Sequence, residues 1–173
     1  MTDYVGFNDV YLPLAAPVDT ILQVLVNNTS NVYKINKISF TSPSVFTLTG
    51  LLVNIKMYKV INAQNIKPIN TGIITPSSIN EFSPNLIFGN NGIYSNVVTK
   101  TLFRSLIFHS TTPTQFSSTL SFFNTFPEYA VIYNNIDIDV QDLTLRENEG
   151  ILLSLGAATS TAIALHIFTE FSK

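Results

Sequence analysis

Three carboxylates stand close together in the stretch "IDIDVQD": Asp137, Asp139 and Asp142. Residues two apart on a strand share a face, so Asp137 and Asp139 suit a hard cation such as calcium. Calcium takes about six to eight oxygens, and these residues supply only part of that set. Two carboxylates about 5–10 Å apart also suit glycoside hydrolysis, but that chemistry needs a cleft and an acid of raised pKa. Nothing in the sequence announces a cleft, and a solvated strand face accounts for the acids more simply. His109 and His166 are the sole histidines. A Ser–His–Asp triad is recognised by geometry rather than chain order, yet no GxSxG occurs. A three-histidine metal site would have to draw on several copies around a trimer axis. Cysteine is absent, which removes thiol nucleophiles, zinc–thiolate sites and a disulfide framework. No glycine-rich phosphate loop is present. The chain is expected to be no enzyme and to carry no cofactor and no metal.

Binding chemistry leaves more traces. Tyr33, Lys34, Lys37, Lys56, Tyr58 and Lys59 interleave rings with positive charge, the combination of a nucleic-acid-binding sheet. A net charge of −2 argues against such a partner, and strand lysines more often blunt sheet edges. Phe116, Phe122, Phe123, Phe126 and Tyr129 lie in a polar stretch without charge before Glu128. Ordinary core packing accounts for such rings, and aromatic-rich, charge-poor surfaces also form the centres of subunit interfaces. Rings among Asn, Asp and Ser also bind glycans, so a glycan- or receptor-binding module is the alternative reading. Tandem sequons at Asn27 and Asn28 fit a surface turn.

Charged residues make up 12% of the 173, against about 25% in typical soluble domains. Asn, Ser and Thr number 18, 16 and 19 and take their place. Solubility usually rests on dispersed charge, so this surface suits a life inside an assembly. Residues 31–104 are basic, with seven Lys and Arg against Glu81, whereas residues 105–173 are acidic. The two halves are expected to pair within one fold, in preference to head-to-tail contact between copies.

The elements that must position these residues are strands. "RENEGILLSLGAATSTAIALHIFTEF" (146–171) has no formal charge between Gly150 and Thr169. It is nearly long enough to span a bilayer, but "GAATST" sits where a span should be most apolar. Ile163, Leu165, Ile167, Thr169 and Phe171 alternate with His166, Phe168 and Glu170, a period of two. The stretch therefore reads as strand, turn, strand, loop, strand, with Gly150 expected to take a positive φ in the turn. "TILQVLV" (20–26), "LLVNIKMYKVI" (51–61), "VVTKTLFRSLIFHS" (97–110) and "VIYNNIDIDVQDLTL" (131–145) are further strands. In "VYKINKISF" (32–40), Tyr33/Ile35 and Ile38/Phe40 fall on opposite parities, which predicts a bulge near Asn36–Lys37. Residues 62–92, broken by Pro and Gly, predict a long loop with short strands. The N-terminus lacks a basic start and a continuous apolar run and does not read as a signal peptide.

These elements predict an all-β fold: a single jelly-roll-like β-sandwich of about eight strands over residues 20–173, preceded by an extended N-terminal arm over residues 1–19. The apolar residues of the arm, Phe7, Val10, Tyr11, Leu12 and Leu14, are expected to be assembly contacts, together with Phe122, Phe123 and Phe126.

"TILQVLVNNTSNVYKINKISF" and "LTLRENEGILLSLGAATSTAIALHIFTEF" together resemble small β-sandwich structural proteins of tailed-phage virions: head decoration proteins, head fibre bases and tail adaptors. The resemblance covers about 50 residues; that family commonly has Pro-Gly or Asn-Gly in the terminal turn, where this chain has "ENEG". It implies a virion protein that assembles symmetrically with itself, a trimer among the expected forms, and with other virion proteins. It implies no chemistry, no nucleic acid and no membrane.

Overall fold

A computed structural model describes residues 3–41, 52–78, 80–91, 99–109, 128–131, 136–159 and 162–173. The strands are β1 (Asp3–Leu12), β2 (Ile21–Asn27), β3 (Tyr33–Thr41), β4 (Leu52–Ile61), β5 (Asn70–Thr71), β6 (Ile73–Pro76), β7 (Ile87–Asn90), β8 (Thr99–His109), β9 (Glu128–Val131), β10 (Ile136–Leu145), β11 (Glu149–Leu155) and β12 (Ile163–Ser172). The first sheet has the order β10-β3-β12-β1-β6, and the second the order β5-β7-β2-β11-β4-β8-β9. Eight long strands form its frame, β1-β12-β3-β10 facing β2-β11-β4-β8, and every neighbouring pair within each four is antiparallel. The chain changes sheet at nearly every connection between these eight, which is the jelly-roll arrangement. The fold is thus an all-β sandwich. Among the described residues no helix is long and apolar enough to cross a membrane. The charge-free stretch after Gly150 is β11, a loop and β12.

Alternation sends one face of each frame strand into a shared core. Tyr4, Val10 and Leu12 of β1 meet Leu22 and Leu25 of β2, Ile35, Ile38 and Phe40 of β3, Ile55 and Met57 of β4, and Leu165, Ile167 and Phe171 of β12. Fully buried side chains such as Phe40 and Phe171 each contribute about 1.5–3 kcal/mol of transfer free energy. Tyr4 stacks on Phe171, and Tyr33 meets both rings edge-on. The expected bulge in β3 is present: Glu170 pairs with Lys37 and Phe171 with Ile35, which leaves Asn36 as the extra residue. It lets Tyr33, Ile35, Ile38 and Phe40 all point inward.

The expected arm is not free-standing. Residues 3–12 are β1, hydrogen-bonded to β12 on one side and β6 on the other. Its inward residues are Tyr4, Gly6, Asn8, Val10 and Leu12. Gly and Asn in that row disguise the alternation, and each has its reason. A Cβ on Gly6 would stand 2.8 Å from the Phe88 ring, which lies across the strand. Asn8 opens a polar chain through the core. Its Nδ2 donates to the Gly89 carbonyl at 3.1 Å and to Gln23 Oε1 at 3.5 Å, and Gln23 Nε2 donates to Thr169 Oγ1 at 2.6 Å. The chain runs from the first sheet to the second and back.

Residues 62–91 extend one side of both sheets. β6 adds to β1 in the first sheet, and β7 adds to β2 in the second. The 3₁₀ turn Ala63–Asn65 and Ile66 cover the outer face of the second sheet, over Val24, Val26, Val60 and Leu152. For that reason β2 is buried along its whole length.

The basic and acidic halves do pair within the fold: Lys37 with Glu170 at 2.9 Å and Lys59 with Glu149 at 3.0 Å. In the "ENEG" turn the left-handed residue is Asn148, with φ 62°. Gly150 lies in β11, where a Cβ would stand 2.5 Å from the Leu25 carbonyl oxygen. The sequons divide as well. Asn27 is fully buried, and its amide donates to the carbonyls of Asn31 and Leu145, whereas Asn28 is exposed.

Candidate assembly surface

The residues with chemical potential do not converge. His109 ends β8 in the second sheet, whereas His166 lies on β12 in the first. Asp137 pairs by backbone with Ser39 and Asp139 with Lys37, while the side chains of the acidic group lie outside what the structure describes. Among the described residues no group of three His, Asp or Glu could hold a metal ion. The ring-and-lysine set splits between β3 of the first sheet and β4 of the second, and Tyr33 is buried in the core. These six residues therefore do not share one face.

One contact between chemically active groups does exist. His166 sits opposite Asp9 across β12 and β1, and its Nδ1 turns to the Asp9 carboxylate, out of reach of solvent. Phe7 lies against the imidazole, with centroids 5.7 Å apart, and against Phe168, at 5.0 Å. Ile73 of β6 registers with Phe7 and is exposed. Phe7, Asp9 and Tyr11 thus line the outer face of β1 beside Phe168 and His166. No nucleophile joins this pair among the contacts of the described residues.

The expected assembly contacts fall into three groups. Val10 and Leu12 belong to the molecule's own core, so a contact role does not extend to them. Their inward parity on β1 decides this. Phe7 is half-buried, while Tyr11 is 72% exposed and Leu14 67%. Phe122, Phe123 and Phe126 lie outside the described residues.

Tyr11 and Leu14 belong to one pole of the sandwich, where Leu12 pairs with Ile163, Thr41 with His166, Phe40 with Ile136, Ile55 with Leu155 and Leu52 with His109. Residues 13–19 cross this pole from sheet to sheet and are tied down by Thr159. Ala15 N–H donates to the Thr159 carbonyl at 3.1 Å, and Ala16 N–H to Thr159 Oγ1 at 2.9 Å. Thr159 Oγ1 in turn donates to the Pro13 carbonyl at 2.8 Å. Ala15 holds a left-handed φ of 58°, a conformation that costs an alanine about 1–2 kcal/mol. Leu12 and Ala16 are thereby buried, while Leu14 and Val18 (51% exposed) face outward.

Charge is sparse in the described connections of this pole: residues 10–18 and 156–159 contain no Asp, Glu, Lys, Arg or His. Exposed Asp19 follows Val18, and a Cβ on Gly156 would stand 3.0 Å from Lys56 Cε. Residues 42–51, 110–127 and 132–135 also lack charge in the sequence but lie outside the described residues.

No family model matches this sequence, and neither a curated protein nor a solved structure matches it.

Proposed function

We propose that this chain is a non-enzymatic structural protein of a virion of the tailed-phage kind, which assembles on or decorates a capsid or tail through contacts between β-sandwich subunits. The scarcity of charge carries the reading: 12% of the residues are charged, and residues 10–18, which cross one pole of the sandwich, have none. A surface that lives in water usually disperses charge, whereas the centre of a subunit contact is depleted of it. Tyr11, Leu14 and Val18 add exposed apolar area at that pole. Double-sheet jelly rolls serve in viral capsids and also in lectins, so the virion assignment itself leans on fold analogy and on the sequence resemblance. The test is native mass by light scattering over a wide concentration range, followed by mass spectrometry of purified particles. A closed oligomer and recovery of the chain from particles are expected. A monomer at every concentration, absent from particles, counts against the reading.

A second reading rests on the outer face of β1. There Phe7, Asp9 and Tyr11 present ring, carboxylate and ring at alternate positions, about 6.8 Å apart, a spacing that suits stacking on sugar rings. A glycan array tests it: a bound glycan lost on Tyr11→Ala supports it, and an array without a binder ends it.

A further inference from the structure

We infer that the outer face of the first sheet is a contact between two copies of this chain, related by a two-fold axis that runs along the strands between β1 and β12; this rests on the assembly reading above. The two sheets treat their outer faces differently. Residues 63–66 roof the second sheet, and Ala63 and Ile66 are fully buried there. On the first sheet Ile73, Phe7 and Phe168 form one row across β6, β1 and β12, and Ile73 stays 63% exposed. Tyr11 stands on the same face of β1, exposed as well. Apolar side chains gathered outward in one patch mark an interaction site, whereas scattered ones need no explanation. The charges of this face are largely matched within the chain. Lys37 holds Glu170 at 2.9 Å, and His166 faces Asp9. Asp3 and Lys34, of opposite sign, lie on either side of Ser172 at the far end.

A two-fold contact is isologous: if one residue meets a second, the second meets the first in return. An axis along the strands between β1 and β12 lays β1 of each copy over β12 of the other, and β6 over β3, with the rows in register. Phe7 of one copy then falls over Phe168 of the other, and Asp9 over His166. Tyr11 falls over Ala164, and Ile73 over Ser39, so these two projecting side chains meet small ones. Val5 falls over Glu170, whose carboxylate Lys37 already holds. Large over small and acid over base suit two sheets packed face to face about 10 Å apart. A contact with an unlike protein would not require the face to complement itself. Four strands about 4.8 Å apart, and the seven residues from Val5 to Tyr11 at about 3.4 Å each, give a face of roughly 20 by 25 Å. That is the small end of specific interfaces, so a dimer that dissociates in the micromolar range is expected, reinforced where a particle holds many copies together.

The register of the axis is tested in the full chain by light scattering. Tyr11→Asp and Ala164→Lys each spoil the contact in a homodimer, the first by losing the ring and the second by setting a lysine beneath it. Mixed in equal amounts, they place the new carboxylate of one chain over the new ammonium of the other, while the second Tyr11–Ala164 contact stays native. Each variant alone is expected to need about tenfold more protein to dimerise, and the mixture to dimerise near the wild-type concentration, all with unchanged melting temperatures. Ile73→Asp, at an exposed position outside that pair, is expected to weaken the dimer by the same factor and keeps the test should Ala164→Lys fail to fold. Val32→Asp, in the exposed β2–β3 connection, is the control and is expected to change nothing. A mixture no better than its folded components overturns the inference. So does an oligomer that Ile73→Asp leaves intact, and the assembly reading then stands with another surface as its contact. A wild-type monomer at every concentration overturns it as well, and recovery of the chain from particles then decides the assembly reading by itself. A monomer whose binding to an array glycan is lost on Tyr11→Asp gives the face to sugar and likewise overturns it.

Discussion

Gln23 is the residue on which the interior turns. It is fully buried, faces the first sheet from the second, and spends its amide on Asn8 and Thr169. Thr169→Val keeps the shape but removes the acceptor, and leaving a buried donor unpaired costs about 1–3 kcal/mol. Urea unfolding is expected to show that loss with an unchanged denaturant slope; an undiminished midpoint would mean the amide finds another partner. Glu149 responds to acid. Burial raises its pKa, but the Arg146 N–H at 2.9 Å and the Lys59 ammonium outweigh that and hold the carboxyl below its usual value. A depressed folded-state pKa means a stabilising contribution that is complete above the ordinary glutamate value of about 4.3 and is lost as pH falls through the lower, folded-state value. Glu149→Gln is expected to flatten the acid limb of a stability–pH curve and to leave its shape above neutrality unaltered. Sequence reading placed a turn correctly at this site but gave the left-handed role to Gly150. Asn148 holds it, and the glycine is required by the approach of the Leu25 carbonyl, a contact between strands distant in sequence.

Strands that alternate cleanly were legible, and those with covered outer faces or odd inward residues were not. β12 shows its period of two because its outer face is partly open, and the β3 bulge betrays itself through its apolar parity. β1 hides because Gly6 and Asn8 occupy inward positions, the first under Phe88 and the second at the head of the polar chain. β2 lacks alternation because residues 63–66 cover it from outside. The consequence for β1 is direct. Removing residues 1–19 takes a strand from between two neighbours, so the shortened chain is expected to lose cooperative thermal unfolding. Leu12→Ala should cost about 2–5 kcal/mol, as other buried leucines do. A shortened chain that still melts cooperatively would restore the picture of a detachable arm. Gly72→Ala is a finer probe, since its Cβ would stand 2.5 Å from Phe88 and 2.7 Å from Asn8 Oδ1. A loss of about 1–3 kcal/mol from overpacking is expected in the same denaturation assay.

The whole molecule is polarised. At one pole the described residues 10–18 carry no charge, while the described ion pairs lie on the sheets. Leu14→Asp placed at the exposed tip is expected to lower the native mass without moving the melting temperature, whereas Val32→Asp at the other pole changes neither. A melting temperature that falls with the mass would make Leu14 a folding residue instead. The same polarity sets how the molecule bears a load. Asp3 pairs with Ser172, so β1 begins where β12 ends, at the pole away from Leu14. Tension applied between residues 3 and 172 peels these strands apart one pair at a time. Tension between residues 14 and 172 runs along the strands and strains the whole β1–β12 ladder together. Optical tweezers with cysteine handles should find the second geometry the stronger, and equal rupture forces would contradict it. A subunit gripped at Leu14 would thus be pulled along its strands, the direction in which its sheets resist best.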